Sequence, residues 1–235
     1  MKTWSLHQDY RLFLESLRPC ALALTSGGFV SLDSRVLEYS SSRVLEFFIV
    51  AMKIGSGRFR GRSIHVPKGL KTRPTSGRLK KALFDIIAAD LPGAVVLDLF
   101  AGAGALGMEA ISRGASHVVF VERRKSAVAA IENNLEKLGV ADQAEVFQGE
   151  ATKALHHLSH RSEWAHIVLL DPPYDAGVYE TVMRRIDETS IVAPEGLVII
   201  EHHHKCGLDD AYGSLRRHRV VRAGESCLTF YRLED

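Results

Sequence analysis

Short apolar runs alternate with amphipathic stretches along most of the chain after residue 94. The apolar runs predict buried strands, and the stretches between them repeat their apolar positions with the period of a helix. The predicted strands are Val95–Phe100, Val118–Glu122, Ala144–Phe147, His166–Asp171 and Leu197–Glu201. The predicted helices are Ala105–Arg113, Lys125–Leu138, Thr152–His160 and Val178–Asp187. This alternation predicts an α/β fold with a doubly wound, mainly parallel, Rossmann-like sheet.

Two further apolar runs, Leu215–Arg222 and Cys227–Leu233, end the chain. The link between them, Ala223–Ser226, is too short for the crossover that parallel neighbours require. We therefore expect a C-terminal antiparallel hairpin at the edge of the sheet.

A basic arm precedes the alternating region. Between Lys53 and Lys81 the chain has ten lysines and arginines and no acidic residue, so all 28 acidic residues lie outside this arm. The stretch is rich in glycine and proline and predicts strand-and-loop structure, followed by an amphipathic helix at Lys80–Ala89. A concentrated basic segment on an otherwise acidic chain predicts a nucleic-acid partner, the alternative being a merely solvated basic face.

Four arginines of this arm are the candidate RNA contacts: Arg58, Arg60, Arg62 and Arg73. The first three alternate along the chain, so in a strand they would share one face and meet backbone phosphates.

Composition narrows the class of protein. Hydrophobic residues make up 46% and charged residues 25%, which is typical of a soluble globular protein. The three cysteines form no C-x-x-C pair, and no apolar run is long enough to span a membrane. The sequence has no signal-peptide pattern, so we expect a cytoplasmic protein. The run His202-His203-His204 would alternate faces in a strand, so we predict no metal site.

A glycine loop follows the first predicted strand, where Gly102, Gly104 and Gly107 satisfy G-x-G-x-x-G. Such a loop brings the backbone close to a ligand at the start of a helix. Glu122 ends the second strand, where its carboxylate could accept hydrogen bonds from ribose hydroxyls. Both NAD and S-adenosylmethionine fit these features.

Two more acids bear on the choice of cofactor. Asp98 lies at the strand end before the loop, where it would repel a pyrophosphate and tolerate a cationic sulfonium. Glu150 follows the third strand and could accept a hydrogen bond from an adenine amino group. An equally plausible role for Glu150 is that of a helix N-terminal acid favoured by the helix dipole.

The fourth strand ends in Asp171-Pro172-Pro173-Tyr174. In a parallel sheet this position is the crevice where ligands bind. The Asp171 carboxylate and the Pro172 carbonyl could accept both N–H bonds of an exocyclic amine, which would free its lone pair for attack on a methyl group. Tyr174 could stack on the base.

These motifs together resemble known methyltransferases. Asp171–Tyr174 resembles the D/N-P-P-Y/F motif of amino-directed, S-adenosylmethionine-dependent nucleic-acid methyltransferases. Phe100–Gly114, Gly57–Arg62 and Arg73–Thr75 add a resemblance to the bacterial 16S ribosomal RNA guanine-N2 methyltransferase family. It runs from about Met52 to Tyr231. It implies a class I methyltransferase fold, S-adenosylmethionine as cofactor, and guanine 966 of 16S rRNA in the assembled small ribosomal subunit as target.

The resemblance also suggests a domain organisation. Residues 1–51 resemble nothing in the family and are predicted to be an extension that is either not native or dispensable. The alternative is that Leu6–Leu17 form a helix docked on the domain or on a partner. Residues 52–90 form the basic arm and its helix, and residues 91–235 the catalytic core. Three alternatives stay open: an amino-directed methyltransferase acting on another rRNA or DNA base, an NAD-binding oxidoreductase, and a noncatalytic RNA-binding protein.

Overall fold

A computed structural model describes residues 52–67, 77–161, 164–172 and 176–234. The extension 1–51, Arg73 and Tyr174 lie outside these residues. The strands are β1 Met52–Lys53, β2 Ser63–Ile64, β3 Val95–Leu99, β4 His117–Glu122, β5 Ala144–Gln148, β6 Ala165–Leu170, β7 Val192–His203, β8 Ala211–Tyr212, β9 Leu215–Ala223 and β10 Ser226–Leu233. The α-helices are α1 Gly77–Ile86, α2 Ala105–Ser112, α3 Lys125–Leu138, α4 Ala151–Leu158 and α5 Ala176–Thr189, and Ala141–Gln143 form a 3-10 turn.

The main sheet has eight strands in the order β5-β4-β3-β6-β7-β10-β9-β8. The five strands from β5 to β7 pair in parallel, and β10 and β9 form the antiparallel hairpin. The predicted fold class is confirmed. The hairpin enters the sheet through its second strand, because β10 lies against β7 and β9 lies outside it.

Helices cover both faces of this sheet. On one face α1, α2 and α3 form a core with the strands that includes Phe84, Ile131 and Phe230. On the other face α4 and α5 form a second core that includes Tyr179 and Tyr231. Since the central strands are buried on both sides, they appear in the sequence as continuous apolar runs. No helix of the described part is long and apolar enough to cross a membrane.

The seventh strand is longer than the apolar run Leu197–Glu201 predicts. It begins at Val192, which pairs with Ala165, and the pairing register then shifts before Leu197. Glu195, with a positive φ of 63°, lies in this irregular part. The residues there are polar or turn-forming, so the pattern of apolar positions does not predict where the strand begins.

The prediction that Arg58, Arg60 and Arg62 share one face of a strand is wrong. The strands of the arm have only two residues each, and the segment between them is a turn. Gly57 and Gly61 adopt φ values of 79° and 82°, far from those of a regular strand, and they bound this turn. The arm is held to the first core by buried apolar side chains: Ile54, Ile64 and Val66.

Candidate active site

A cavity of about 770 Å³ opens at the carboxyl ends of the parallel strands. In doubly wound sheets this edge is where ligands bind. Six of the predicted site residues line it: Asp98, Gly102, Glu122, Glu150, Asp171 and Pro172. The candidate cofactor and methyl-acceptor residues therefore share one space.

The glycine loop turns sharply between β3 and α2. Gly102 and Gly104 have φ values of 59° and 80°, a region that residues with a side chain rarely adopt. Gly102 is on the cavity wall, whereas a Cβ on Gly104 would come within 3.0–3.2 Å of core side chains that include Met108 and Phe120. Gly104 therefore shapes the turn from the core side, and a larger residue there would disturb packing as well as the loop.

Asp98 connects β3 to the beginning of α2. Its side chain is only 2% exposed, and Oδ2 accepts a 2.9 Å hydrogen bond from the Gly107 N–H. Burial, reinforced by the charges of Asp171 and Glu122, raises the pKa of Asp98 to about 7 despite that hydrogen bond. The geometry shows a positioning role for this carboxyl in addition to its place on the cavity wall.

Glu122 orders the loop from the neighbouring strand. Its Oε2 accepts the Gly102 N–H at 3.0 Å, and Oε1 accepts the backbone N–H and the Nε of Arg124 at 2.9 and 3.1 Å. A carboxylate has about four acceptor positions, so the group can still receive a ligand hydroxyl. Glu150 precedes α4 but makes no side-chain cap to it, which leaves its exposed carboxylate available to the cavity.

Asp171 and Pro172 follow β6 directly. Because Leu99 pairs with Leu170, they stand beside the beginning of the glycine loop. Burial raises the pKa of Asp171 to about 6. Pro172 is buried at the cavity wall.

A row of carboxyl groups crosses the ends of four adjacent strands, β4, β3, β6 and β7. Each acid follows by two positions a residue of the first core, so all four belong to the same face of the sheet. The row consists of Glu122, Asp98, Asp171 and Glu201. Sequence analysis missed Glu201, although it ends the predicted apolar run Leu197–Glu201 just as Asp171 ends His166–Asp171.

A buried ion cluster adjoins the cavity and was also missed. The Glu109 side chain, 1% exposed, has one oxygen 3.1 Å from Lys80 Nζ and the other 2.9 Å from Arg113 Nε. It also accepts the backbone N–H groups of Gly55 and Ser56 at 2.7 and 2.9 Å. Lys80 lines the cavity. The cluster thus joins the basic arm and α1 to α2, next to the glycine loop.

The arm arginines lie away from the cavity lining and are exposed. Arg58 donates to the Gln143 side chain at 2.5 Å, and Arg62 donates to the Lys137 carbonyl at 2.8 Å. The described part of the structure gives the Arg60 side chain no polar partner, so its guanidinium is available to a ligand.

The histidine run takes part in local hydrogen bonds. One ring nitrogen of His202 lies 2.8 Å from the Thr229 hydroxyl, and the other lies 3.0 Å from the His203 carbonyl. Among the described residues no three His, Cys, Asp or Glu side chains are grouped closely enough to hold a metal ion.

The doubly wound sheet, the glycine loop after its first parallel strand and the Asp-Pro-Pro-Tyr sequence after its fourth define a class I methyltransferase. Residues 52–232 match the model of the family described as "Conserved hypothetical protein 95", and the chain belongs to this family. Family membership confirms the resemblance and argues against an NAD-binding oxidoreductase.

Individual relatives agree with this assignment. The Bacillus subtilis (strain 168) protein YlbH is 34% identical over 77% of this chain and 98% of its own length. The "Ribosomal RNA small subunit methyltransferase D" of Escherichia coli (strain K12) is 31% identical over 78% of this chain and 90% of its own length. The solved structure of yhhF from Escherichia coli has a TM-score of 0.69 at 29% identity and covers 78% of this chain and 98% of that one.

Proposed function

We propose that this protein transfers a methyl group from S-adenosylmethionine to the N2 amino group of a guanine in 16S rRNA of the small ribosomal subunit. The target implied by the family resemblance is guanine 966. The observation that carries the proposal is the shared cavity, in which Asp171 and Pro172 face the same space as the loop residue Gly102 and Glu122. The name of the Escherichia coli relative supports the rRNA substrate.

The cavity suits this cofactor better than a dinucleotide. Bound S-adenosylmethionine supplies the methyl group on a positively charged sulfur and also carries an ammonium group. The buried carboxyls of Asp98 and Glu122 favour cations and oppose a pyrophosphate. Glu122 and Glu150 offer acceptor oxygens for ribose hydroxyls and an adenine amino group.

Asp171 and Pro172 would activate the acceptor amine. The lone pair of a guanine N2 is delocalised into the ring, which makes the amine a poor nucleophile. With one N–H donating to Asp171 and the other to the Pro172 carbonyl, the nitrogen becomes pyramidal and its lone pair points to the methyl carbon. Formation of the new N–C bond would be balanced by loss of the C–S bond, whose electron pair would stay with the sulfur. The surplus amine proton passes to the Asp171 carboxylate and then to water.

Nucleoside mass spectrometry tests this function. Small subunits that lack the modification are incubated with the protein and S-adenosylmethionine, and their rRNA is digested. The expected product is N2-methylguanosine. Asp171→Ala should lower turnover by at least about a hundredfold, the lower range for losing a positioned catalytic group. Its affinity for S-adenosylmethionine, measured by calorimetry, should stay within about twofold.

The matched control is Glu188→Ala, which removes an exposed acid paired with Arg185 on α5. It should leave both readouts unchanged. Formation of methyladenosine would favour the amino-directed alternative with another base. Binding of NAD in place of S-adenosylmethionine, or full turnover by Asp171→Ala, would contradict the proposal.

A further inference from the structure

The C-terminal hairpin carries a second concentration of positive charge, at the opposite end of the sheet from β5. Residues 215–233, which form β9, β10 and the turn between them, contain five arginines and one acidic residue, Glu225. The whole chain has a net charge of only +2, so this density is unusual for it. Four of the arginines are exposed on the outer strand β9: Arg216, Arg217, Arg219 and Arg222.

The two arginines at the beginning of β9 are neutralised by acids. Arg216 Nε lies 2.8 Å from a carboxylate oxygen of Glu234, and Arg217 forms an ion pair with Asp210. These pairs account for the positive charge at the end of β9 that lies far from the cavity.

The other two arginines keep donors for a ligand. Arg222 donates through Nε to the Gly224 carbonyl at 2.9 Å, which leaves the terminal N–H groups of its guanidinium. Among the residues that the structure describes, the Arg219 side chain has no polar partner, and neither arginine forms an ion pair. Their positive charges are therefore open to an anionic partner.

The register of the sheet places Arg222 at the edge where the cavity opens. Leu170 of β6 pairs with Ile200 of β7. Ile200 pairs with Thr229 of β10, which pairs with Val220 of β9. Since β10 is antiparallel to both β7 and β9, β9 runs in the direction of β6, and Arg222 comes two positions beyond the level of Leu170. Three strand spacings of about 4.8 Å separate β9 from β6, which is about 14 Å.

Arg219 and Arg222 lie on either side of an open strand edge. Within the described part of the chain, β8 covers this edge only at Leu215 and Arg216. Arg219 pairs with Phe230 and so lies on the face of the first core, whereas Arg222, three positions further, lies on the other face. A phosphate backbone that follows the edge would pass between the two guanidinium groups.

The turn of the basic arm lies at the other edge of the sheet. Arg58 and Arg62 donate to Gln143 and Lys137, which come before β5 in the chain and so lie near the amino ends of the parallel strands. β9 offers what this turn does not, which is positive charge at the edge where the cavity opens.

We propose that β9 binds the phosphate backbone of the RNA beside the nucleotide whose base enters the cavity, through Arg219 and Arg222. The inference rests on the proposed function, since it takes rRNA as the substrate. A guanidinium group matches a phosphate with two parallel N–H donors. Phosphate contacts fix the position of a nucleic acid without reading its bases, so β9 orients the RNA while Asp171 and Pro172 hold the amine.

An open edge strand can also carry charge for another reason. Charged side chains there prevent the edge from pairing with a second chain. That role requires charge along the edge but no RNA contact, so the two explanations differ in how the arginines affect RNA binding.

The experiment measures binding of the protein to small subunits that lack the modification, between 50 and 200 mM salt. S-adenosylhomocysteine is present, so that no methyl transfer occurs. The log–log salt slope should fall by about 0.7–0.9 for each lost phosphate contact, and so by about 1.4–1.8 for Arg219→Gln combined with Arg222→Gln. In single-turnover assays with S-adenosylmethionine, the subunit concentration that gives half the maximal rate should rise several-fold.

The matched control is Arg216→Gln, which removes an exposed arginine of the same strand that is already paired with Glu234. It should leave the salt slope unchanged. The double variant should keep the wild-type melting temperature and affinity for S-adenosylmethionine, because neither Arg219 nor Arg222 lines the cavity.

The outcomes separate this inference from the proposed function. If the wild-type protein binds and methylates small subunits while the double variant keeps the wild-type slope, only the inference fails, and the arginines protect the edge. An equal fall in slope for Arg216→Gln would also overturn it, because the effect would then be one of net charge. If the wild-type protein does not bind small subunits, the proposed function fails and the inference fails with it.

Discussion

Glu109→Ala should destabilise the protein far more than loss of an exposed acid. Glu109 accepts two backbone N–H groups of the arm and is paired with Lys80 and Arg113 at one of the most buried positions of α2. Burial alone would raise the pKa of this carboxyl, yet the Gly55 N–H and the two cations outweigh it and hold the pKa below its usual value. The folded state therefore stabilises the ionised form.

The magnitude follows from what the substitution leaves behind. Alanine would strand two backbone donors and leave the buried Lys80 ammonium without its carboxylate. Breaking a buried ion pair by removing one partner costs about 3–5 kcal/mol, which already includes much of the hydrogen-bond loss. A domain with a typical stability of about 5–15 kcal/mol would lose a large part of it.

Urea unfolding at pH 7 measures this loss. Glu180→Ala is the matched control, because Glu180 pairs with Arg184 at an exposed helical position and should cost less than about 0.5 kcal/mol. Lys80→Met combined with Glu109→Ala should cost less than the sum of the single changes, since no buried ammonium is then stranded. A Glu109→Ala loss below about 1 kcal/mol, or strict additivity, would refute the reasoning.

Three more predictions concern the acids and the arm. The rate of methyl transfer should rise with pH as Asp171 ionises and becomes acceptor-only, with a midpoint below the ligand-free pKa of about 6 because the cationic cofactor lowers that pKa, and Asp171→Asn should flatten this profile in single-turnover assays. The raised pKa of Asp98 contributes stability that is present below its unfolded value of 3.8 and is lost as the pH rises through about 7. Relative to wild type, Asp98→Asn should gain up to about 4 kcal/mol between pH 4 and 8 in urea titrations, since one pKa unit is about 1.4 kcal/mol. Arg60→Glu should lower the log–log salt slope of RNA binding by about 0.7–0.9 if it meets one phosphate, with cofactor affinity unchanged, and an unaltered slope would exclude that contact.

Much of the architecture could be predicted because the apolar runs and the local motifs carry it. The five parallel strands are buried on both faces, so Val95–Leu99 and its neighbours are recognisable without any partner. The glycine loop and the Asp171–Pro172 turn then follow from strand order, since carboxyl ends of parallel strands share an edge. Six predicted residues do line one cavity for this reason.

What could not be predicted depends on contacts between distant segments. Glu109 has the sequence appearance of a surface acid on a short helix, and its burial arises only when the arm and Lys80 close over it. Glu201 comes to lie beside Asp171 only through the β6–β7 register, which a single sequence does not contain. The arm arginines were placed in a strand because their alternation resembles one, whereas the positive φ values of Gly57 and Gly61 make a turn.

The acidic row and the proposed cofactor influence each other. Burial raises the pKa values of Asp98 and Asp171, and the charges of Asp171 and Glu122 add to the rise at Asp98. A cationic ligand in the cavity favours their ionised forms, so its binding must lower both pKa values, and the ionised forms must in turn strengthen its binding. Binding of the cofactor would thus favour the ionised form of Asp171, which is the form that can hold the amine. This coupling would favour an order in which the cofactor binds before the base enters.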